Sequence, residues 1–156
     1  MRRRKADVRN VLADPKYSSI LVAKFINMLM VEGKRALAEN IVYSSFEILK
    51  QKTKEDNVIK VFNKAIENVR PRLQVKSRRV GGATYQIPNE VPVYRGNSIA
   101  LRWIRDFARV KKGKPMEMKL ADELLAAYKA EGQAIKKRDD THKMAESNRA
   151  FSHLRW

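Results

Sequence analysis

Residues 58–91 read VIKVFNKAIENVRPRLQVKSRRVGGATYQIPNEV, and the hydrophobic period changes partway through. Val58, Val61, Phe62, Ala65, Ile66 and Val69 recur at helical spacing and form one apolar stripe. Pro71 disfavours helical geometry at Arg70, so the helix is predicted to end there. Beyond it, 72–80 and 83–91 are rich in residues that suit strands, and Gly81-Gly82 lies between them. Both central positions of a type I′ turn need positive φ, so a glycine pair there predicts a β-hairpin. The first strand would carry Arg72, Lys76 and Arg78 on one side and Arg79 on the other, with only Leu73, Val75 and Val80 apolar. Each strand can reach roughly 25–30 Å. So little apolar surface cannot hold the outer half of such a ribbon by burial, and it is expected to protrude.

Upstream, Ser18 or Ser19 can cap a helix with Leu21, Val22, Phe25, Ile26, Leu29 and Met30 inward, ending at Gly33 as a C′ residue. A second helix is expected to face Leu37, Ile41, Ile48 and Leu49 inward, with Lys34, Arg35, Glu39 and Lys50 outward. Residues 1–17 lack periodicity and contain the turn Asp14-Pro15, which reads as an arm. Downstream, Pro88 and Pro92 turn the chain into a fourth helix starting between Val93 and Ser98, with Ile99, Trp103, Ile104, Phe107 and Val110 inward. The loop Lys111-Lys112-Gly113-Lys114-Pro115 is basic. A fifth helix from about Met116 to Ala130 carries Leu120, Leu124, Leu125 and Tyr128 and stops at Gly132. The polar stretch 132–156 has helical propensity, with Ile135, Met144 and Ala145 as inward candidates, and ends in a tail. The fold class expected is mainly α: a six-helix bundle with a protruding two-stranded β-hairpin arm and a basic N-terminal extension. One domain over 1–156 would comprise an arm (1–17), a hairpin (72–91) and a C-terminal helix and tail (132–156).

The net charge of +17 makes a polyanion the expected partner, because self-repulsion of that size disfavours an uncompensated compact state. The charge is uneven. Residues 2–5 are all basic, 6–69 are nearly balanced, 70–95 and 102–114 each carry +5, and 115–131 are net acidic. No cysteine is present, and no apolar run approaches the ~20 residues that span a bilayer. The start, Met1-Arg2-Arg3-Arg4-Lys5, lacks the apolar core of a secretory signal, and the chain is expected to be soluble and intracellular.

A catalytic reading finds little support. His142 and His153 are the only histidines, and neither has a spaced partner for zinc or a triad. Gly81-Gly82 lacks the spacing of a phosphate-cradling loop, and Asp139-Asp140 adjoins Lys136, Lys137 and Arg138, which favours local charge pairing. No cofactor or metal is expected. Binding readings are stronger. Arg2, Arg3, Arg4 and Lys5 are either a solvated tail or an arm that displaces counterions from phosphate. Lys76, Arg78 and Arg79 cluster near the glycine turn with Tyr85, which suits phosphate forks and base stacking. The competing view is an edge hairpin charged against aggregation. Trp103 is expected in the core, while Trp156, beside His153 and Arg155, suits a stack on RNA or on a neighbouring protein. No helix-turn-helix or zinc finger argues for DNA, so structured RNA is the expected ligand, with a DNA-compacting protein or an RNA-modifying enzyme as rivals.

Specific strings go further. Phe25-Ile26, six residues, Gly33-Lys34-Arg35, five residues, then Ile41-Val42 and Ser45 resemble a signature of the family of the seventh protein of the bacterial small ribosomal subunit. Ser77 to Gln86 (SRRVGGATYQ) is similar to that family's arm, and Ala100-Leu101-Arg102-Trp103 to its next helix. Met144 to Phe151 (MAESNRAF) and His153-Leu154-Arg155-Trp156 resemble its C-terminus. The resemblance implies direct binding to the 3′ major domain of small-subunit ribosomal RNA, and a role in nucleating assembly of the subunit head. It also implies a cytoplasmic, ribosomal location, near the messenger exit channel and the exit-site transfer RNA. Carried over, Arg2, Arg3, Arg4, Lys5, Lys34, Arg35, Lys76, Arg78, Arg79, Arg95 and Arg102 would face ribosomal RNA. The hairpin tip (Val80, Gly81, Gly82, Ala83 and Tyr85) would approach transfer RNA. Arg149, His153, Arg155 and Trp156 would help contact RNA or a platform protein. Neighbouring proteins of the head and platform are the implied partners, with no membrane and no DNA.

Overall fold

The computed structural model describes residues 10–154. Helices α1 (Ile20–Leu29), α2 (Arg35–Thr53) and α3 (Val58–Val69) precede an antiparallel hairpin of β1 (Leu73–Val80) and β2 (Ala83–Glu90). Then follow α4 (Val93–Val110), α5 (Met116–Tyr128), α6 (Gln133–Ser147) and a 3-10 turn, Arg149–Leu154. The mainly α fold with a hairpin arm is therefore the observed one.

Helix α3 is the centre of the body, and its expected stripe is buried at every position from Val58 to Val69. The Asn57 side chain caps its start by accepting from the Lys60 amide at 3.2 Å. Arg70 is extended at its end, as Pro71 requires. Its Phe62 ring lies 5.5 Å from Phe25 of α1 and 5.2 Å from Phe46 of α2, so three aromatic rings tie three helices.

Other helices are rotated from their expected faces. In α2 the buried stripe is Ala38, Val42, Ser45, Phe46 and Leu49, while Leu37 is 56% exposed. Directing Phe46 at Phe62 turns Leu37 outward, and Ser45 tolerates burial by donating its hydroxyl to the Val42 carbonyl. In α4 the buried face is Gly96, Ala100, Leu101, Ile104 and Ala108. Ile99, Trp103 and Phe107 are half-buried at its margins, and Val110 is 74% exposed. Small residues let this backbone approach its neighbours: a Cβ on Gly96 would fall 2.7 Å from Arg70 Cγ and 3.3 Å from the Pro71 carbonyl oxygen. In α6, Ala134, Ile135 and Ala145 are buried, but Met144 is half exposed.

Helix α1 ends at Leu29, before Gly33, which serves the following turn at φ +72° beside Glu32 at φ +54°. Arg105 and Arg109 of α4 donate to the Met28 and Leu29 carbonyls at 3.2 and 3.1 Å, placing cations where the helix dipole is negative. At the inner end of the expected arm, Asp14 is 1% exposed and accepts from the Tyr17 amide at 3.0 Å and the Tyr43 hydroxyl at 2.7 Å. Burial, reinforced by that bond, pushes the Tyr43 phenol up to about 12. The Tyr17 ring packs on Tyr43 and Phe46, so Asp14 to Tyr17 dock on the helical body. No helix among the described residues is long and apolar enough to cross a membrane.

Candidate nucleic-acid interface

The hairpin pairs in one continuous register from Leu73–Glu90 to Val80–Ala83. Gly81 and Gly82, at φ +57° and +92°, make the turn that the sequence predicts. Its two halves differ. From Lys76 to Thr84 every residue is exposed, whereas Ile87 is buried and the base packs against α6 and the 3-10 turn. The Tyr85 ring lies 5.1 Å from Phe151, so one side of it is taken up by the C-terminal turn. Arg78 stands opposite Tyr85, and Arg79 opposite Thr84.

The hairpin base is also tied by His142, whose Nε2 accepts from the Arg72 amide at 3.0 Å. Burial and then the Arg138 charge hold this imidazole below the usual histidine range. Acidification therefore protonates His142 in the unfolded chain first. Its stabilising contribution is full above the unfolded value of about 6.5 and is lost as pH falls below that. The urea midpoint is expected to drop between about pH 7.5 and pH 5. His142→Gln should flatten that drop, and an unchanged profile in the variant would assign the pH dependence elsewhere.

The expected RNA-facing cations fall into two groups. Lys34 pairs with Glu32 at 2.7 Å and Arg35 with Glu39 at 2.7 Å, and the latter hydrogen bond raises the Arg35 guanidinium above its usual range. Lys76, Arg78, Arg79, Arg95 and Arg102 are exposed, and no ion pair to an acidic side chain is present for them among the described residues. Lys76 and Arg95 line one groove of about 500 Å³ between the hairpin base and the start of α4. Lys34 lines a separate, largely apolar groove at the α1–α2 turn with Leu29, Met30 and Leu37. Arg149 and His153 are exposed on the 3-10 turn, with His153 Nδ1 2.9 Å from the Ala150 carbonyl oxygen. Arg2, Arg3, Arg4, Lys5, Arg155 and Trp156 lie outside the described residues.

Two basic stretches change meaning in three dimensions. Lys111 pairs at 2.6 Å with Glu123, a carboxylate 1% exposed that also accepts from the Ala134 amide at the start of α6. Lys114 and Lys52 both bind Asp122, and the hydrogen bond from Lys52 leads in holding that carboxyl below its usual range. The acidic segment 115–131 thus neutralises much of the adjacent basic loop. Arg138 pairs with Asp139 and donates to the Asn68 carbonyl, so it anchors α6. No cluster of three or more potential metal-ligating side chains occurs among the described residues.

A helical body that projects a ribbon of cations unpaired among the described residues defines a structural, polyanion-binding scaffold. A family model described as ribosomal protein S7p/S5e matches residues 1–149. Over all 156 residues, and the full length of each relative, the chain is 60% identical to the small ribosomal subunit protein uS7 of Pseudothermotoga lettingae. It is 56% identical over the same span to that of Thermotoga maritima and 54% to that of Thermosipho africanus. The chain belongs to the ribosomal protein S7p/S5e family, and as such is a structural RNA-binding protein and not an enzyme.

Proposed function

We propose that this chain is a constituent of the small ribosomal subunit that binds the 3′ major domain of small-subunit ribosomal RNA directly. The observation that carries this reading is the exposed set Lys76, Arg78 and Arg79, which has no acidic partner among the described residues, on the outer half of a hairpin whose base is packed. Its relatives' names, each a small ribosomal subunit protein, support the same assignment. Phosphate contacts supply most of the affinity in such a site, and the shape of the folded RNA supplies selectivity, because the deep A-form major groove is poorly readable. On this reading the protein nucleates assembly of the subunit head beside neighbouring head and platform proteins. Its hairpin tip, Val80 to Ala83, extends toward exit-site transfer RNA near the messenger exit channel. Arg149 and the residues after it add a contact to RNA or a platform protein.

The test is equilibrium binding to a folded 3′ major domain fragment in rising salt, with duplex DNA as competitor. Binding that survives excess DNA near physiological salt supports specific recognition. Binding that DNA abolishes leaves a generic polyanion binder. Removal of residues 2–5, four cations in a row, is expected to lower the slope of log affinity against log salt by up to about 2.8–3.6 if all four touch phosphate. An unchanged slope would show that these residues do not touch phosphate.

A further inference from the structure

We propose that Tyr94 is a stacking platform for an unpaired RNA base, with the adjoining groove of Gln74, Lys76, Asn89 and Arg95 receiving the neighbouring nucleotide. This rests on the RNA-binding reading above and assigns part of that contact to a residue outside the cationic set. Tyr94 is the second residue of α4 and is 73% exposed. The chain has five tyrosines, and the other four are engaged. Tyr17 and Tyr43 pack on each other, Tyr85 packs on Phe151, and Tyr128 donates to Glu55 beneath the Lys64 ammonium. Tyr94 has no ring or cation partner among the described residues.

Tyr94 also lines two neighbouring grooves. One, of about 500 Å³, is lined by Gln74, Lys76, Asn89 and Arg95, and Glu90 lies in the same lining. The other, of about 410 Å³, is lined by Lys24, Asn97 and Ser98 beside Leu21 and Leu101. An exposed ring at the edge of the polar groove beside Lys76 and Arg95 matches single-stranded nucleic acid, whose bases stack on an aromatic face and whose phosphates seek the flanking cations. The side-chain amides of Gln74 and Asn89 each offer both donors and an acceptor, as a base edge requires. A protein partner would favour a drier, more apolar lining than the groove beside Lys76 provides.

The test compares the full chain with its Tyr94→Ala and Tyr94→Phe variants on the folded 3′ major domain fragment across a salt series. Tyr94→Ala is expected to weaken binding about tenfold at every salt concentration, leaving the salt slope unchanged because a stacked ring releases no counterions. Tyr94→Phe keeps the π face and should bind within about twofold of the parent. Equal affinity of Tyr94→Ala and the parent overturns the proposal and leaves Tyr94, with exposed Val93 and Ile20, to a neighbouring protein. Equal weakening by both variants overturns it too, since the hydroxyl would then be the contact. If the parent fails to bind the fragment, the RNA-binding reading falls first; if only the Tyr94 variants behave unexpectedly, this assignment falls alone.

Discussion

Replacing Arg78 and Arg79 together by alanine is expected to weaken binding to the 3′ major domain fragment roughly 10–100-fold near physiological salt, or about 1.4–2.8 kcal/mol. Both guanidiniums lie on the exposed outer half of the hairpin, and neither has an acidic partner among the described residues. Their charge is thus free for phosphate, and removing it costs no internal ion pair. If both touch phosphate, the slope of log affinity against log salt should fall by about 1.4–1.8, the single-strand and duplex limits. Helical circular dichroism should stay nearly unchanged, because the residues that hold the hairpin base are untouched. Loss of helix in this variant would mean that the outer ribbon supports the fold. Lys34 and Arg35 provide the contrast: each is already paired with a glutamate, so their replacement should move the slope less.

The largest effect on stability is expected from Phe62→Ala, at roughly 3–5 kcal/mol. Phe62 is fully buried, and its ring is the common neighbour of Phe25 and Phe46, so truncation opens a cavity where α1, α2 and α3 meet. Domains of this size have only about 5–15 kcal/mol in reserve, and a net charge of +17 adds self-repulsion in the absence of RNA. The melting temperature should fall by roughly 6–20 °C. Leu37→Ala is the matched control. The helical pattern alone places Leu37 inward, but it is more than half exposed, and its truncation should change stability by no more than about 0.5 kcal/mol. A large loss at Leu37 would mean that the face of α2 is wrongly placed.

The element order, the α3 stripe and the hairpin turn were legible in the residues because each is a local decision. A Pro two positions past an apolar stripe, or a Gly pair between strand-like runs, restricts φ and ψ whatever the rest of the chain does. The faces of α2 and α4 were less legible. Both carry more large apolar residues than one face can bury, and the choice depends on the neighbouring helix. In α4 that neighbour demanded closeness, so Gly96, Ala100 and Ala108 went inside and Val110 outside. A stripe of small residues at helical spacing was the available signal.

The candidate interface divides in the same way. By itself the sequence determined that this is a basic, mainly helical member of its family with a cationic hairpin, since charge, period and turn chemistry are properties of short stretches. Only the tertiary structure decided which cations are free. Lys111 and Lys114 look as available as Lys76, Arg78 and Arg79 in the chain, but the fold places Glu123 and Asp122 against them. Arg138 pairs with its neighbour Asp139, as the adjoining carboxylates suggest, and the fold adds the Asn68 carbonyl. The same packing leaves Tyr94 uncovered while it engages the other tyrosines. An ion pair acts over a few ångströms of space, and whether a carboxylate 8 or 12 residues along the chain comes that close to Lys114 or Lys111 depends on how α5 packs.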